Sequence, residues 1–311
     1  MKLSLVIPCY NDAEVLPITY ETLISCLDRI INNKIDDYEI IFVNDGSLDK
    51  TEEILMEIAG KNKRVKVILL NANYGHQSAI LSGILNSNGD AIITIDSDLQ
   101  DPPEELANFV AEYKKGNDVV IGIRNDRSVD PLFKRLTADL FYRFASFLGV
   151  PGTINAGDYR LISKRVMNSL KEYPERNLYL RGLIASMKLP TGYVYYKRMP
   201  RAAGTTGYTF AKQLELAMDG ITSFTIKPLR LIGLAGIILL FISMLLIIYV
   251  IYLKIANDIP LQGWASLFTA ILFFQSINLI FFSVLGEYLG KAYMEIKHRP
   301  RYVINRKINF D

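Results

Sequence analysis

Apolar positions in the first 125 residues alternate between two periods. Short runs at Leu3–Ile7, Glu39–Val43, Val65–Leu70, Ala91–Ile95 and Asp118–Ile123 suit buried strands. Between them, residues 14–32, 49–60, 76–86 and 103–115 carry apolar residues at helical spacing. Strands alternating with helices predict an α/β domain built on a doubly wound, parallel sheet. A polar block follows each strand: PCYND, NDGSLDKT, NANYGHQSA, DSDLQDPP and RNDR. These blocks therefore gather at the carboxyl edge of the sheet, where open α/β sheets bind ligands. Asn, Asp and Gly favour turns, which explains one such block but not five.

The pattern changes after residue 226. Leu231–Leu253 and Ala265–Gly286 contain no charged residue. As a helix the first run reaches about 34 Å, enough to cross a hydrocarbon core of about 30 Å. Two transmembrane helices at 231–253 and 265–286 are expected, within a membrane domain at 227–290. Lys227 and Arg230 precede the first span, and Lys291, Lys297, Arg299, Arg301, Arg306 and Lys307 follow the second. Only Lys254 is basic in the connection between them. That bias predicts a cytoplasmic body at 1–226, a basic cytoplasmic tail at 291–311 and a short outer hairpin. The bacterial inner or plasma membrane is the expected location. Overall composition adds little: half the residues are hydrophobic and the net charge is +3, so no polyanion such as nucleic acid is implied as a partner.

The stretch DSDLQDPPEEL, residues 96–106, crowds acids together at the end of a strand. Asp96 and Asp98 are spaced to converge on a hard cation, Mg²⁺ or Mn²⁺, which prefers oxygen ligands and takes others from substrate phosphates. Asp101 and Pro102 read instead as the N-cap and first position of the next helix. There is no G-x-G-x-x-G after the first strand and no G-x-x-x-x-G-K-[ST], which disfavours a dinucleotide oxidoreductase and a P-loop NTPase.

VIPCYND, VNDGSLDKT, NYGHQSAILSG and DSDLQDPPEEL resemble the signature blocks of family 2 glycosyltransferases with the GT-A fold. NAGDYRLISKRV, PERNLYLRGLIASM and RAAGTTGYTFAKQLELAMDGITSFTIKPLRL narrow the resemblance to polyisoprenyl-phosphate glycosyltransferases. It is nearest to bactoprenol glucosyltransferases, with dolichol-phosphate mannose synthases as relatives, and it covers nearly the whole chain. The resemblance implies a GT-A, Rossmann-like nucleotide-sugar-binding domain followed by a two-helix transmembrane hairpin. Pro8, Tyr10 and Asp12 would line the nucleotide pocket, and Val43 and Asp45 would meet base and ribose. Asp96, Ser97 and Asp98 would form the D-x-D element for metal and sugar diphosphate, with Gln100 beside it. Arg124 would meet phosphate near the reaction centre, Asp158 would act near the acceptor, and Arg201 would bind the lipid phosphate. Asn44 departs from the family's usual Asp. Gly207 stands where relatives often carry a phosphate-binding Lys, a task Lys212 is placed to take over. A tetramer is implied by the same analogy.

The expected reaction is a single inverting displacement. A nucleotide-diphosphate sugar, UDP-glucose by the resemblance, would donate to a polyisoprenyl phosphate such as undecaprenyl phosphate. Arg124, Arg127, Arg198 and Arg201 would offset the repulsion between two anions. Amphipathic stripes at 132–148 and 209–225 suit a membrane interface or packing on the sheet equally well. His76 in the block NYGHQSA has a contact with the donor as one reading, but a lone histidine is more often structural, and it is left unassigned. Three rivals are a GDP-mannose-dependent synthase, a processive polysaccharide synthase and a non-catalytic nucleotide-sugar-binding protein. The processive class needs more spans than two.

Overall fold

The computed structural model describes residues 1–31, 33–125, 156–173, 175, 179–200, 222, 225–257 and 263–310. The stripes expected at 132–148 and 209–225 therefore lie outside the described residues, apart from position 222, and so do Arg127, Arg201, Gly207 and Lys212.

Eight strands form one sheet: β1 (Lys2–Cys9), β2 (Asp37–Asn44), β3 (Val65–Leu70), β4 (Ala91–Thr94), β5 (Val119–Arg124), β6 (Ala156–Ser163), β7 (Thr191–Tyr196) and β8 (Ile304–Ile308). Their order is β7-β5-β6-β4-β1-β2-β3-β8. The centre, β4-β1-β2-β3, is parallel as the alternating pattern predicts. The sheet as a whole is mixed, because β6 is inserted antiparallel between β4 and β5. Strand direction is not encoded in a run of buried apolar residues, so the sequence pattern could not place β6.

The helices are α1 (Leu16–Ile30), α2 (Thr51–Lys61), α3 (His76–Leu85), α4 (Leu106–Lys114, entered through a 3₁₀ turn at Pro103–Glu105), α5 (Lys164–Glu172), α6 (Leu180–Ser186), α7 (Lys227–Asn257) and α8 (Trp264–Ile296). Alternate residues of each strand face opposite layers. Leu3, Leu5, Ile7, Ile40 and Phe42 join α1, α2 and α4 in one core. Val6, Ile41, Val43 and Ile68 join α3, α5 and α6 in the other. Helix α2 has Glu52 and Glu53 in its first turn and Lys61 in its last, both signs matching the helix dipole.

The expected N-cap at Asp101 is not formed. The turn starts at Pro102 without a side-chain cap, and the buried Asp101 carboxylate bonds Arg124 and Tyr196 instead. A charged partner in the interior outbids the weaker capping bond.

The basic segment expected to be a free tail returns to the body. β8 pairs antiparallel with β3, Lys307 opposite Ile68 and Ile308 opposite Val67. Asn309 donates to the carbonyls of Ala59 (2.9 Å) and Val65 (2.7 Å). Phe310 lies under the Lys66 ammonium, which pairs at 2.9 Å with the buried Glu39. Helices α7 and α8 contain both expected spans. They are long and apolar enough to cross a membrane, and Leu240, Phe241, Leu245, Phe273 and Phe282 on them are exposed.

Candidate active site

The carboxyl ends of β1, β2 and β4, the amino end of α3 and the β6 segment around Asp158 converge. Asp45 directly follows β2 and is buried. Its carboxylate accepts from the backbone N–H of Tyr74 (2.8 Å) and Gly75 (2.9 Å). It thereby fixes the loop that delivers His76 and Gln77. Gly46 completes that turn at φ +65, and a Cβ there would meet the Ala72 carbonyl carbon at 2.5 Å. Asn44, the departure from the family's acid, accepts from the Ser47 N–H at 3.1 Å, a turn-closing bond an amide makes as well as a carboxylate.

Asp12 bridges the β1 and β4 loops. Its Oδ2 accepts from the Ser97 hydroxyl (2.7 Å) and the Tyr10 N–H (3.0 Å). Burial raises its pKa, against the pull of these bonds. Ser97 is buried, and its carbonyl accepts from Thr19 at 2.6 Å. Pro8 is buried at the end of β1, while Tyr10 is 44% exposed. The Val43 side chain is wholly buried in the core against α3.

In the acid loop, Asp98 accepts from the Gln100 N–H at 3.1 Å, and Leu99 between them has φ 55. An apolar residue in the left-handed region stores strain, which collects at ligand sites. Arg198 donates to the Gln100 side chain, and the Met199 N–H donates to its carbonyl. Arg198 thus belongs to the acid loop's surroundings. Arg124 is tied to Asp101 (3.2 Å) and to the Tyr196 hydroxyl (3.3 Å). Burial would lower its pKa, but Asp101 raises it further above its ordinary value.

Asp158 is the hub of the second group. Arg181 grips it with Nε at 3.0 Å and Nη2 at 2.8 Å. Arg160 reaches Oδ1 at 3.3 Å and Gln77 reaches Oδ2 at 3.3 Å. The Thr94 hydroxyl donates to the Asp158 carbonyl, locking the residue to β4. Burial alone would raise its pKa, but Arg181, His76 and Arg160 hold it well below the ordinary carboxylate range. His76 Nε2 lies 3.5 Å from Asp158 Oδ2 and 3.4 Å from Asp96 Oδ1. Burial would lower its pKa, yet the two acids lift it to about 9. Burial pushes Asp96 up to about 6, against the opposing effect of His76.

Asp96 Oδ1 is buried with no hydrogen-bond partner. Among the described residues no group of three or more His, Cys, Asp and Glu side chains is placed to hold a metal. A pair of carboxylates with one orphaned oxygen fits a hard cation that completes its shell from water and diphosphate.

The structure thus brings Asp12, Asp45, Asp96, Ser97, Asp98, Gln100 and Asp158 to one edge, with Arg124 and Arg198 beside the acid loop. The sequence left His76 unassigned and gave no sign of Gln77 or Arg181. His76 and Gln77 sat inside a signature block, but Arg181 follows 23 residues after Asp158 with nothing in the spacing to link them.

Residues 4–170 match the family described as glycosyl transferase family 2. The bactoprenol glucosyl transferase of Shigella phage SfV is 38% identical over 99% of this chain and 99% of its own length. The prophage bactoprenol glucosyl transferase homolog of Escherichia coli (strain K12) is 38% identical over 98% of this chain and 99% of its own. The solved structure of glucosyl-3-phosphoglycerate synthase from Mycobacterium tuberculosis with Mn²⁺, uridine diphosphate and phosphoglyceric acid is 19% identical. It covers 70% of this chain and 74% of that one, with a TM-score of 0.46. The chain belongs to glycosyl transferase family 2 and is a glycosyltransferase.

Proposed function

We propose that the protein transfers a glucosyl residue from UDP-glucose to a polyisoprenyl phosphate, of the undecaprenyl type, at the cytoplasmic face of a membrane. Full-length likeness to bactoprenol glucosyl transferases supports a glucosyl group as cargo and a bactoprenol-type acceptor. Exposed apolar helices α7 and α8 support membrane residence. The observation that carries the reading is a division of charge at one sheet edge. Asp96 and Asp98 present carboxylates on one side, Arg160 and Arg181 surround Asp158 on the other, and His76 lies between them.

That division suits two anionic substrates. Asp96 and Asp98 would hold Mg²⁺ or Mn²⁺, which supplies charge neutralisation to a departing nucleoside diphosphate. The acceptor phosphate, with a second pKa near 6, is largely dianionic at neutral pH and is a nucleophile without help. Asp158 is held ionised by its cations and has little basicity to offer. Its work is to fix Arg181 and Arg160, whose guanidinium groups favour phosphate. One displacement without a protein nucleophile inverts the anomeric centre.

The test is transfer of label from UDP-glucose to undecaprenyl phosphate by the purified chain with Mn²⁺, GDP-mannose serving as the rival donor. Lipid-linked glucose is expected, with product lost in the D96A and D98A variants and on chelation. Label from GDP-mannose alone, or full activity in the variants, refutes the reading.

A further inference from the structure

His76 joins the two halves of the site. It is the first residue of α3, held there through Asp45's grip on the Gly75 N–H. Its Nε2 faces Asp96 at 3.4 Å and Asp158 at 3.5 Å. Carboxylates only accept hydrogen bonds, so Nε2 carries the proton. It has one N–H and two claimants at nearly equal distance, both beyond the span of a strong bond. Asp96 Oδ1 makes no hydrogen bond, and its contact with Nε2 is one of charge. Asp158 has several partners: Arg181, Arg160 and Gln77.

We infer that His76 is a positioning residue that couples the donor side of the site to the acceptor side. Its N–H is shared between Asp96 and Asp158 in the empty site and passes wholly to Asp158 when Asp96 is engaged elsewhere. The inference rests on the proposed function, in which Asp96 serves the donor and Asp158 the acceptor. Two consequences have opposite signs. In the empty protein His76 competes for Asp96, so it weakens binding at the acid loop. In the loaded protein it tightens the Asp158–Arg181 group, so it strengthens binding of the acceptor phosphate. By linkage the donor and the acceptor then favour each other.

The experiment uses the full-length chain in detergent. Calorimetry measures Mn²⁺ with UDP, and steady-state assays with undecaprenyl phosphate give KM and kcat. For His76→Ala the Kd of Mn²⁺–UDP should fall about 5-fold and the acceptor KM should rise about 5-fold or more, the lower range of site-to-site coupling. His76→Gln keeps an N–H donor and should return the acceptor KM to within about 3-fold of the wild type. Loss of both affinities in His76→Ala would mean a merely structural residue and overturns the inference. So does an unchanged pair of affinities. If the wild-type chain transfers glucose and only these shifts are missing, the proposed function stands and the coupling falls. If the wild type does not bind Mn²⁺–UDP, the donor reading and the coupling fall together.

Discussion

At the scale of single residues, Asp158 shows how environment decides role. Its carboxylate is nearly inaccessible, at 7% exposure, and meets Arg181, Arg160, Gln77 and His76. A group that ionises more readily when folded contributes stability above its unfolded pKa, about 3.9 for an ordinary aspartate. That contribution is lost only as pH falls through the still lower folded value. Asp158 is such a group. Asp158→Asn removes the negative charge that Arg181 and Arg160 pair with, which costs about 3 kcal/mol as for other broken buried pairs. Thermal unfolding should show the variant less stable than the wild type at pH 7 and still so at about pH 4.5. The gap should narrow only below that. A gap that already closes near neutral pH would mean Asp158 is not held by its cations. The sequence marked Asp158 through its resemblance block but did not show its partners, because Arg181 and His76 come from other elements. Asp101 illustrates the reverse error. Its position before Pro102 fits a cap, and only the fold reveals Arg124 and Tyr196 within bonding range.

Among the elements, β1 to β5 and α1 to α4 were legible because long apolar runs and helical spacing are strong signals. β8 was not. Ile304-Asn305-Arg306-Lys307-Ile308 is short, and its basic residues read as a tail flanking the membrane. It becomes a strand because β3 would otherwise be an edge with unpaired backbone groups. Tyr302, Ile304 and Phe310 also find the second core. Asn309 ends the strand at φ 61 and donates its side chain to Ala59 and Val65. Two effects can be separated there. Asn309→Gly keeps the backbone freedom and loses two hydrogen bonds, about 1 kcal/mol each. Asn309→Ala loses the bonds and adds left-handed strain of about 1–2 kcal/mol. Chemical unfolding should rank wild type above Gly and Gly above Ala. Equal stability of all three would show that the tail does not contribute to the folded body.

For the whole molecule, β8 bears on the proposed membrane residence. The chain leaves the body at Lys227, runs through α7 and α8, and rejoins the same sheet at Ile304. If α7 and α8 cross a membrane as proposed, both ends of the pair lie on one side of it and the number of crossings is even. Two spans satisfy that requirement. The hydroxyl of Tyr288 on α8 donates to the Thr225 carbonyl at 2.6 Å, just before α7 begins, so the helix ends are also joined near the body. Lys227, Arg230, Lys291, Lys297, Arg299 and Arg301 cluster at this end, and a basic excess favours the cytoplasm. Under the proposed function, the carboxyl edge of the sheet would work where nucleotide sugar and lipid phosphate meet. A cysteine placed at Gln262, in the connection between the helices, should react with an impermeant maleimide in intact cells. One at Arg306, exposed on β8, should react only after permeabilisation. The native thiols, Cys9 and Cys26, are buried, so background labelling is low. Labelling of position 306 in intact cells would place the sheet outside, away from cytoplasmic nucleotide sugars, and the proposed donor would be out of reach.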